Sequence, residues 1–120
     1  MDNFLIVLVV IVMLFLFFNS SKVSDEDLLK AREAVKNGAI IVDVRSRHEF
    51  LSKHVKGATN LPIDDIMKGN INLPKDKEIV VYCRRGNRSR ESAKVLIKLG
   101  WTVYDVATQS DWEREIKIEK

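Results

Sequence analysis

Glu78–Leu99 reads EIVVYCRRGNRSRESAKVLIKL. Glu78 to Tyr82 is a short, mostly β-branched apolar run, the pattern of a strand buried on both faces of a parallel sheet. Ser89 to Leu99 places Ala93, Leu96 and Ile97, with Gly100 just beyond, at i, i+3, i+4 and i+7, the period of an amphipathic helix. Between them lies a turn that carries the single cysteine of the chain, Cys83. Arg84, Arg85 and Arg88 lie close by, and Gly86 sits inside the turn. A buried strand, a tight turn and a helix in one stretch is half of a β–α–β unit.

The same alternation continues on both sides. Ala39-Ile40-Ile41-Val42-Asp43-Val44 reads as a second buried strand and Trp101 to Val106 as a third. Gly57 to Pro62 reads as a short strand ended by its proline. Ser24 is placed as the N-cap of a helix with acids in its first turn, Asp25, Glu26 and Asp27, and Gly38 is a stop signal after Asn37. Arg47 to His54 and Ile63 to Lys68 are short helix candidates, and Gly69 to Lys77 is a loop containing Pro74. Asp111 to Ile118 is a final helix with Trp112, Ile116 and Glu115 on one face. Strands alternating with helices predict an α/β domain, a largely parallel sheet flanked by helices on both faces. In such sheets ligands bind beyond the C-terminal ends of the strands, where Cys83 falls.

The chain has 120 residues, room for one domain. One cysteine excludes an internal disulfide and a resolving partner within the chain. His48 and His54 lack a surrounding set of ligands, so no metal or other cofactor is expected. The formal net charge of +3, with acids interspersed, is too mild for a nucleic-acid partner. Basic residues are concentrated only at Arg84, Arg85, Arg88 and Arg90, which points to local recognition of a small anion.

Phe4–Phe18 is an unbroken apolar run, FLIVLVVIVMLFLFF. As a helix it spans roughly 22 Å at 1.5 Å per residue, against about 30 Å of hydrocarbon. Flanking Asn3, Asn19, Ser20 and Ser21 and slight bilayer thinning would make it usable as a transmembrane anchor. A cleaved signal peptide is the competing reading. It is disfavoured by the acidic Met1-Asp2-Asn3 start and by the lack of a good small-x-small cleavage site. Lys22, Lys30, Arg32 and Lys36 follow the run and no Lys or Arg precedes it, so the domain is expected on the cytoplasmic side. The expected division is an anchor at 1–22 and a domain at 23–120.

A lone cysteine after a buried strand is often only a small buried hydrophobe. Here the arginines and the helix N-terminus favour an anionic sulfur, and successive N–H groups in such a turn form an anion nest. Cys83 is thus the candidate nucleophile, and Arg84, Arg85, Gly86, Asn87, Arg88 and Ser89 the candidate substrate cradle. Cysteine phosphatases surround phosphate with Cys-x5-Arg, usually after a His. This chain has Cys-x4-Arg after Tyr82, a tighter loop that disfavours phosphoryl chemistry and arsenate reduction.

Three stretches make the chain resemble a single-domain rhodanese. Asp43-Val44-Arg45-Ser46-Arg47-His48-Glu49-Phe50 and His54-Val55-Lys56-Gly57-Ala58-Thr59-Asn60-Leu61-Pro62 are similar to the signature D-x-R-x-x-x-E-[FY]…H-[IV]-x-G-A-x-N-[IL]-P of that family. Val81 to Ser89 is similar to its C-x-x-G-x-R-S loop. The likeness covers about residues 24 to 118. It implies a thiosulfate sulfurtransferase. Cys83 would take the outer sulfur of thiosulfate, release sulfite, hold a persulfide and pass the sulfur to a thiol acceptor. Asp43 and Arg45 are expected to lock the loop rather than react, and Glu49, His54, Asn60 and Pro62 to be scaffold. One departure stands out. Rhodaneses usually carry a Gly-Gly pair a few residues before the closing-helix Trp. Here that segment is Val106-Ala107-Thr108-Gln109-Ser110-Asp111-Trp112, without glycine and one residue shorter. This altered rim, with the anchor, keeps open a second reading, a membrane-bound persulfide carrier or regulatory module that docks on a protein partner.

Overall fold

The computed structural model describes residues 3–19 and 23–116. The elements run α1 (Asn3–Asn19), α2 (Asp25–Lys36), β1 (Ile40–Asp43), α3 (Arg47–Ser52), β2 (Thr59–Asn60), α4 (Ile63–Met67), β3 (Ile79–Cys83), α5 (Asn87–Lys98), β4 (Val103–Thr108) and α6 (Gln109–Glu113). The four strands form one sheet in the order β2-β1-β3-β4, parallel throughout. Alternate residues of the central strands feed two cores, as the period of two requires. Val42, Val44, Ile79, Val81 and Cys83 pack with Ile66 of α4 and Ala93 and Leu96 of α5. Ile41, Val80 and Tyr82 pack on the other face with Leu28 and Ala31 of α2, with Trp112 and Ile116 against them.

From β1 the chain moves to one edge of the sheet to form β2, then returns to the other side of β1 to form β3. The order therefore reverses between β1 and β3, and the loops leaving their C-terminal ends part at a crevice. The ends are level, since Asp43 pairs in register with Tyr82. Cys83 follows at once.

Asp43 is fully buried at this junction. Its carboxylate takes Arg45 Nη2 at 2.7 Å and Arg45 Nε at 3.0 Å, the Arg45 backbone N–H at 2.9 Å, and the Tyr82 hydroxyl at 2.8 Å. Tyr82 Oη in turn accepts the Val55 N–H at 3.0 Å. The Asn60 side chain donates to the carbonyls of Asp43 and Arg45. These bonds form a lock that ties β1, β2, β3 and the segment after α3 together.

Several predicted boundaries shift. The expected helix at Ser89 starts two positions earlier, at Asn87, because Gly86 at φ 96° turns the chain in the left-handed region. Ser89 points inward and donates its hydroxyl to the Gly86 carbonyl. Ile97, expected in the core, is 55% exposed, and Ser92 takes a buried place beside Ala93 and Leu96 instead. The third predicted strand begins later, at Val103, and runs to Thr108. The final helix is α6 and stops at Glu113. Arg32 takes the carbonyls of Trp112 and Arg114, and Arg114 reaches back to Val23 and Asp25, which draws the chain out in extended form. Glu115 is exposed, and Lys117 and Ile118 lie outside the described residues. Ser24 caps α2 through the Asp27 N–H, as expected.

At the N-terminus α1 is apolar on all sides, and Phe4 to Leu14 are exposed. Among the described residues no helix is long and apolar enough to cross a membrane. The transmembrane expectation thus goes unsupported: α1, with its 17 residues, is roughly 25 Å long, short of the hydrocarbon thickness of about 30 Å.

The lock generates a direct prediction. Tyr82→Phe removes the hydroxyl that joins the buried Asp43 carboxylate to the Val55 N–H. Urea denaturation of the variant is expected to report a loss of about 1–3 kcal/mol, the cost of unpaired buried polar groups. A change below a few tenths would remove Tyr82 from the lock.

Candidate active site

Cys83 ends β3 on the α5 side of the sheet and is 1% exposed. Its Sγ accepts the backbone N–H of Gly86 at 3.0 Å and of Ser89 at 3.3 Å, with the Ser89 hydroxyl 3.5 Å away. These donors curl around the sulfur because Gly86 adopts φ 96°, which lets the loop close into α5 directly. Such a nest of N–H groups suits a negative charge at the sulfur.

In front of the sulfur is an open cavity of about 410 Å³, lined by Glu49, Cys83, Arg84, Arg85, Asn87 and Arg88. The loop residues expected to act together are thus together. Gly86 and Ser89 grip the sulfur from behind, while Arg84, Arg85 and Asn87 stand exposed at the rim. Arg88 is arranged otherwise than expected. Its guanidinium forms a two-pronged pair with Glu49, Nη1–Oε1 at 2.7 Å and Nη2–Oε2 at 3.0 Å. This pairing raises Arg88 further above its ordinary range and holds the Glu49 carboxyl down at about 2.

Glu49, read as scaffold from sequence, therefore lines the cavity itself. Its scaffold role is real too: with Ser46 it closes a capping box at the start of α3. The Ser46-x-x-Glu49 spacing carried that capping signal. The contact with Arg88, 39 positions away, had no local signal. Asp43 and Arg45 form the lock and do not line the Cys83 cavity. His54 stacks on Phe50 at 3.9 Å and bonds its carbonyl, a packing role.

The rim that departs from the rhodanese pattern has a physical solution. Ala107 takes φ 64°, a conformation that favours glycine, in a bulged part of β4. Its N–H is held by Asp105 Oδ1 at 2.9 Å. Burial pushes the Asp105 carboxyl up, and that N–H partly offsets the shift. A Cβ at Gly86 would lie 3.3 Å from the Ala107 Cβ, so the thiol loop and the rim press on each other at this point.

The Glu49–Arg88 pair has a pH signature. The folded-state carboxyl sits near 2, below its ordinary 4.5. Its contribution is complete above 4.5 and is lost as pH falls from there through about 2, because the unfolded chain takes up the proton first. Glu49→Gln should flatten this part of the acid limb in a stability-versus-pH series. An unchanged slope between those values would show that the pair is not formed in solution.

Residues 24–108 match the family described as rhodanese-like domain. An uncharacterized protein of Bacillus subtilis, YqhL, is 28% identical over 123 aligned positions, covering 97% of this chain and 98% of that one. A protein of Allochromatium vinosum named sulfurtransferase is 31% identical, covering 64% of this chain and 72% of its own length. The crystal structure of a rhodanese-related protein from Thermoplasma volcanium superposes with a TM-score of 0.60 at 30% identity, over 71% of this chain and 85% of that one. In some longer relatives the matching region is only 15% of the protein. A parallel α/β sheet with a cysteine loop at its switch point, and a match over most of the chain, lead to one assignment: this protein belongs to the rhodanese-like domain family.

Proposed function

We propose that the protein is a sulfurtransferase that takes a sulfane sulfur from thiosulfate, or a similar anionic donor, and hands it to a thiol acceptor through a persulfide on Cys83. The observation that carries this reading is the pair of backbone N–H groups on Sγ at the floor of an arginine-rimmed cavity. Arg84 and Arg85 draw in the donor. The Cys83 thiolate attacks its outer sulfur, an Sγ–S bond forms, and the S–S bond of thiosulfate breaks with its electron pair leaving on sulfite. The Gly86 and Ser89 N–H groups then hold charge on the persulfide. Arg88, fixed by Glu49, acts as a wall of the cavity and adds no free cation.

The test is sulfite release from thiosulfate with cyanide as acceptor. Wild type is expected to turn over, and Cys83→Ala to lose activity to background. Equal rates would overturn the proposal.

The Ala107 rim supports a second reading, a persulfide-carrying docking module with little turnover. Under that reading the same assay gives a single burst of sulfite that Cys83→Ala abolishes, followed by no turnover.

We propose further that α1 holds the domain at a membrane, with the domain on the cytoplasmic side. Its exposed apolar surface needs a lipid-like environment, and the basic residues Lys30, Arg32 and Lys36 follow it in the chain. Because α1 is short, the bilayer must thin around it or the helix must lie within the interface. Extraction of membranes with alkaline carbonate should leave the full chain in the pellet. Release of the full chain into the supernatant would overturn this proposal.

A further inference from the structure

We propose that Asp105 is a positioning residue for the reaction of Cys83. By holding the Ala107 N–H it keeps a bulge of β4 pressed against Gly86, and so keeps the Gly86 N–H on Sγ. This rests on reading Cys83 as the reacting sulfur, and it adds a side chain that lies outside the cavity over that sulfur.

β3 and β4 pair in step as far as Val81 and Asp105, but Cys83 pairs with Thr108. β4 therefore carries one residue more than β3 over this interval, and the excess is taken up beside the thiol. The left-handed position of such a bulge usually falls to glycine. Here it falls to Ala107, at φ 64°, whose Cβ is disfavoured in that conformation. The Ala107 Cβ is the atom that a side chain at Gly86 would meet first, at 3.3 Å, so the bulge stands directly against Gly86. Gly86 in turn gives Sγ its shorter N–H contact, 3.0 Å against 3.3 Å from Ser89.

Asp105 is placed to hold Ala107 there. Its Oδ1 accepts the Ala107 N–H at 2.9 Å, two residues along, which closes a local turn. Among the described residues its carboxylate makes no ion pair. Burial pushes the carboxyl up, and the Ala107 N–H, the Ser89 hydroxyl and the Arg90 charge act against that shift. A half-buried acid without an ion pair is costly, and an alanine would avoid the cost. What the acid supplies is the bond to Ala107. Without it Ala107 relaxes toward negative φ, the bulge moves off Gly86, and the N–H that faces Sγ loses its backing.

The full chain is compared with Asp105→Ala, Asp105→Asn, and Asp105→Ala combined with Ala107→Gly. Two rates are read at Cys83: single-turnover sulfite release over a range of thiosulfate concentrations, and alkylation by iodoacetamide. Asp105→Ala is expected to slow both about tenfold, through a weakened N–H donor. The half-saturating thiosulfate concentration should stay within about twofold, because Arg84 and Arg85 at the rim are untouched. Asp105→Asn keeps an oxygen acceptor for the Ala107 N–H and is expected to restore both rates to within about twofold of wild type. Ala107→Gly removes the need for that bond, since glycine takes the left-handed turn unaided, and should restore them to within about threefold. Undiminished rates in Asp105→Ala overturn the proposal, as does a changed half-saturation with an unchanged limiting rate. Failure of either restoration also overturns it. Loss in Asp105→Asn would assign the effect to charge, and loss in the double variant to the Ser89 hydroxyl, which also faces the carboxyl. Should Asp105→Ala not fold, the other two variants decide alone, and either one falling short of these rates overturns it. Alkylation involves no sulfur transfer. A wild-type chain that ignores thiosulfate therefore fails the sulfurtransferase reading, while the alkylation rates still decide the role of Asp105.

Discussion

A buried carboxylate sits where the two central strands end, and the site is built on its partners. Asp43 has no access to water, so its charge must be met by the protein. Arg45 closes on it two residues later in the chain, and Tyr82 reaches it from the neighbouring strand. Because Tyr82 immediately precedes Cys83, the bond that satisfies Asp43 also sets where β3 ends and where the thiol loop begins. Burial and the Asp43 contact raise the Tyr82 hydroxyl to about 12, so it remains a donor across the neutral range. Its support is present up to about pH 10 and is lost as pH rises from there through about 12.

From that fixed point the cavity acquires an uneven electrostatics. Of the arginines near Cys83, Arg88 is bound to Glu49 across the crevice between β1 and β3, while Arg84 and Arg85 are open to solvent. The fixed pair shapes the wall, the backbone N–H groups face the sulfur, and the free cations lie at the mouth. An anion is thus attracted at the rim and charge is held at the floor.

The residues that sequence disclosed were those acting locally. The β-branched runs at Ile40–Asp43 and Ile79–Cys83 marked the central strands, and Ser24 marked a helix start through its own side chain. The thiol loop was legible because its glycine and arginines lie within a few residues of Cys83. What escaped depended on contacts distant in sequence. Glu49 carries a local capping signal that conceals its pairing with Arg88. The start of α5 two residues before Ser89 was missed, since it depends on Gly86 bending the chain first. Ile97 fits the helical period, yet lies off the face that meets the sheet. α6 ends where Arg32, from a helix far earlier in the chain, takes its carbonyls. The missing glycine pair suggested an altered rim, and only the backbone of Ala107 revealed how the turn is made without it.

The central claim is that Cys83 carries the sulfur. Intact-mass analysis of the full chain after thiosulfate treatment tests it without presuming any acceptor. The account predicts a gain of one sulfur atom, removed by a thiol reductant and absent in Cys83→Ala. An unchanged mass in the wild-type chain, or the same gain in Cys83→Ala, would contradict it.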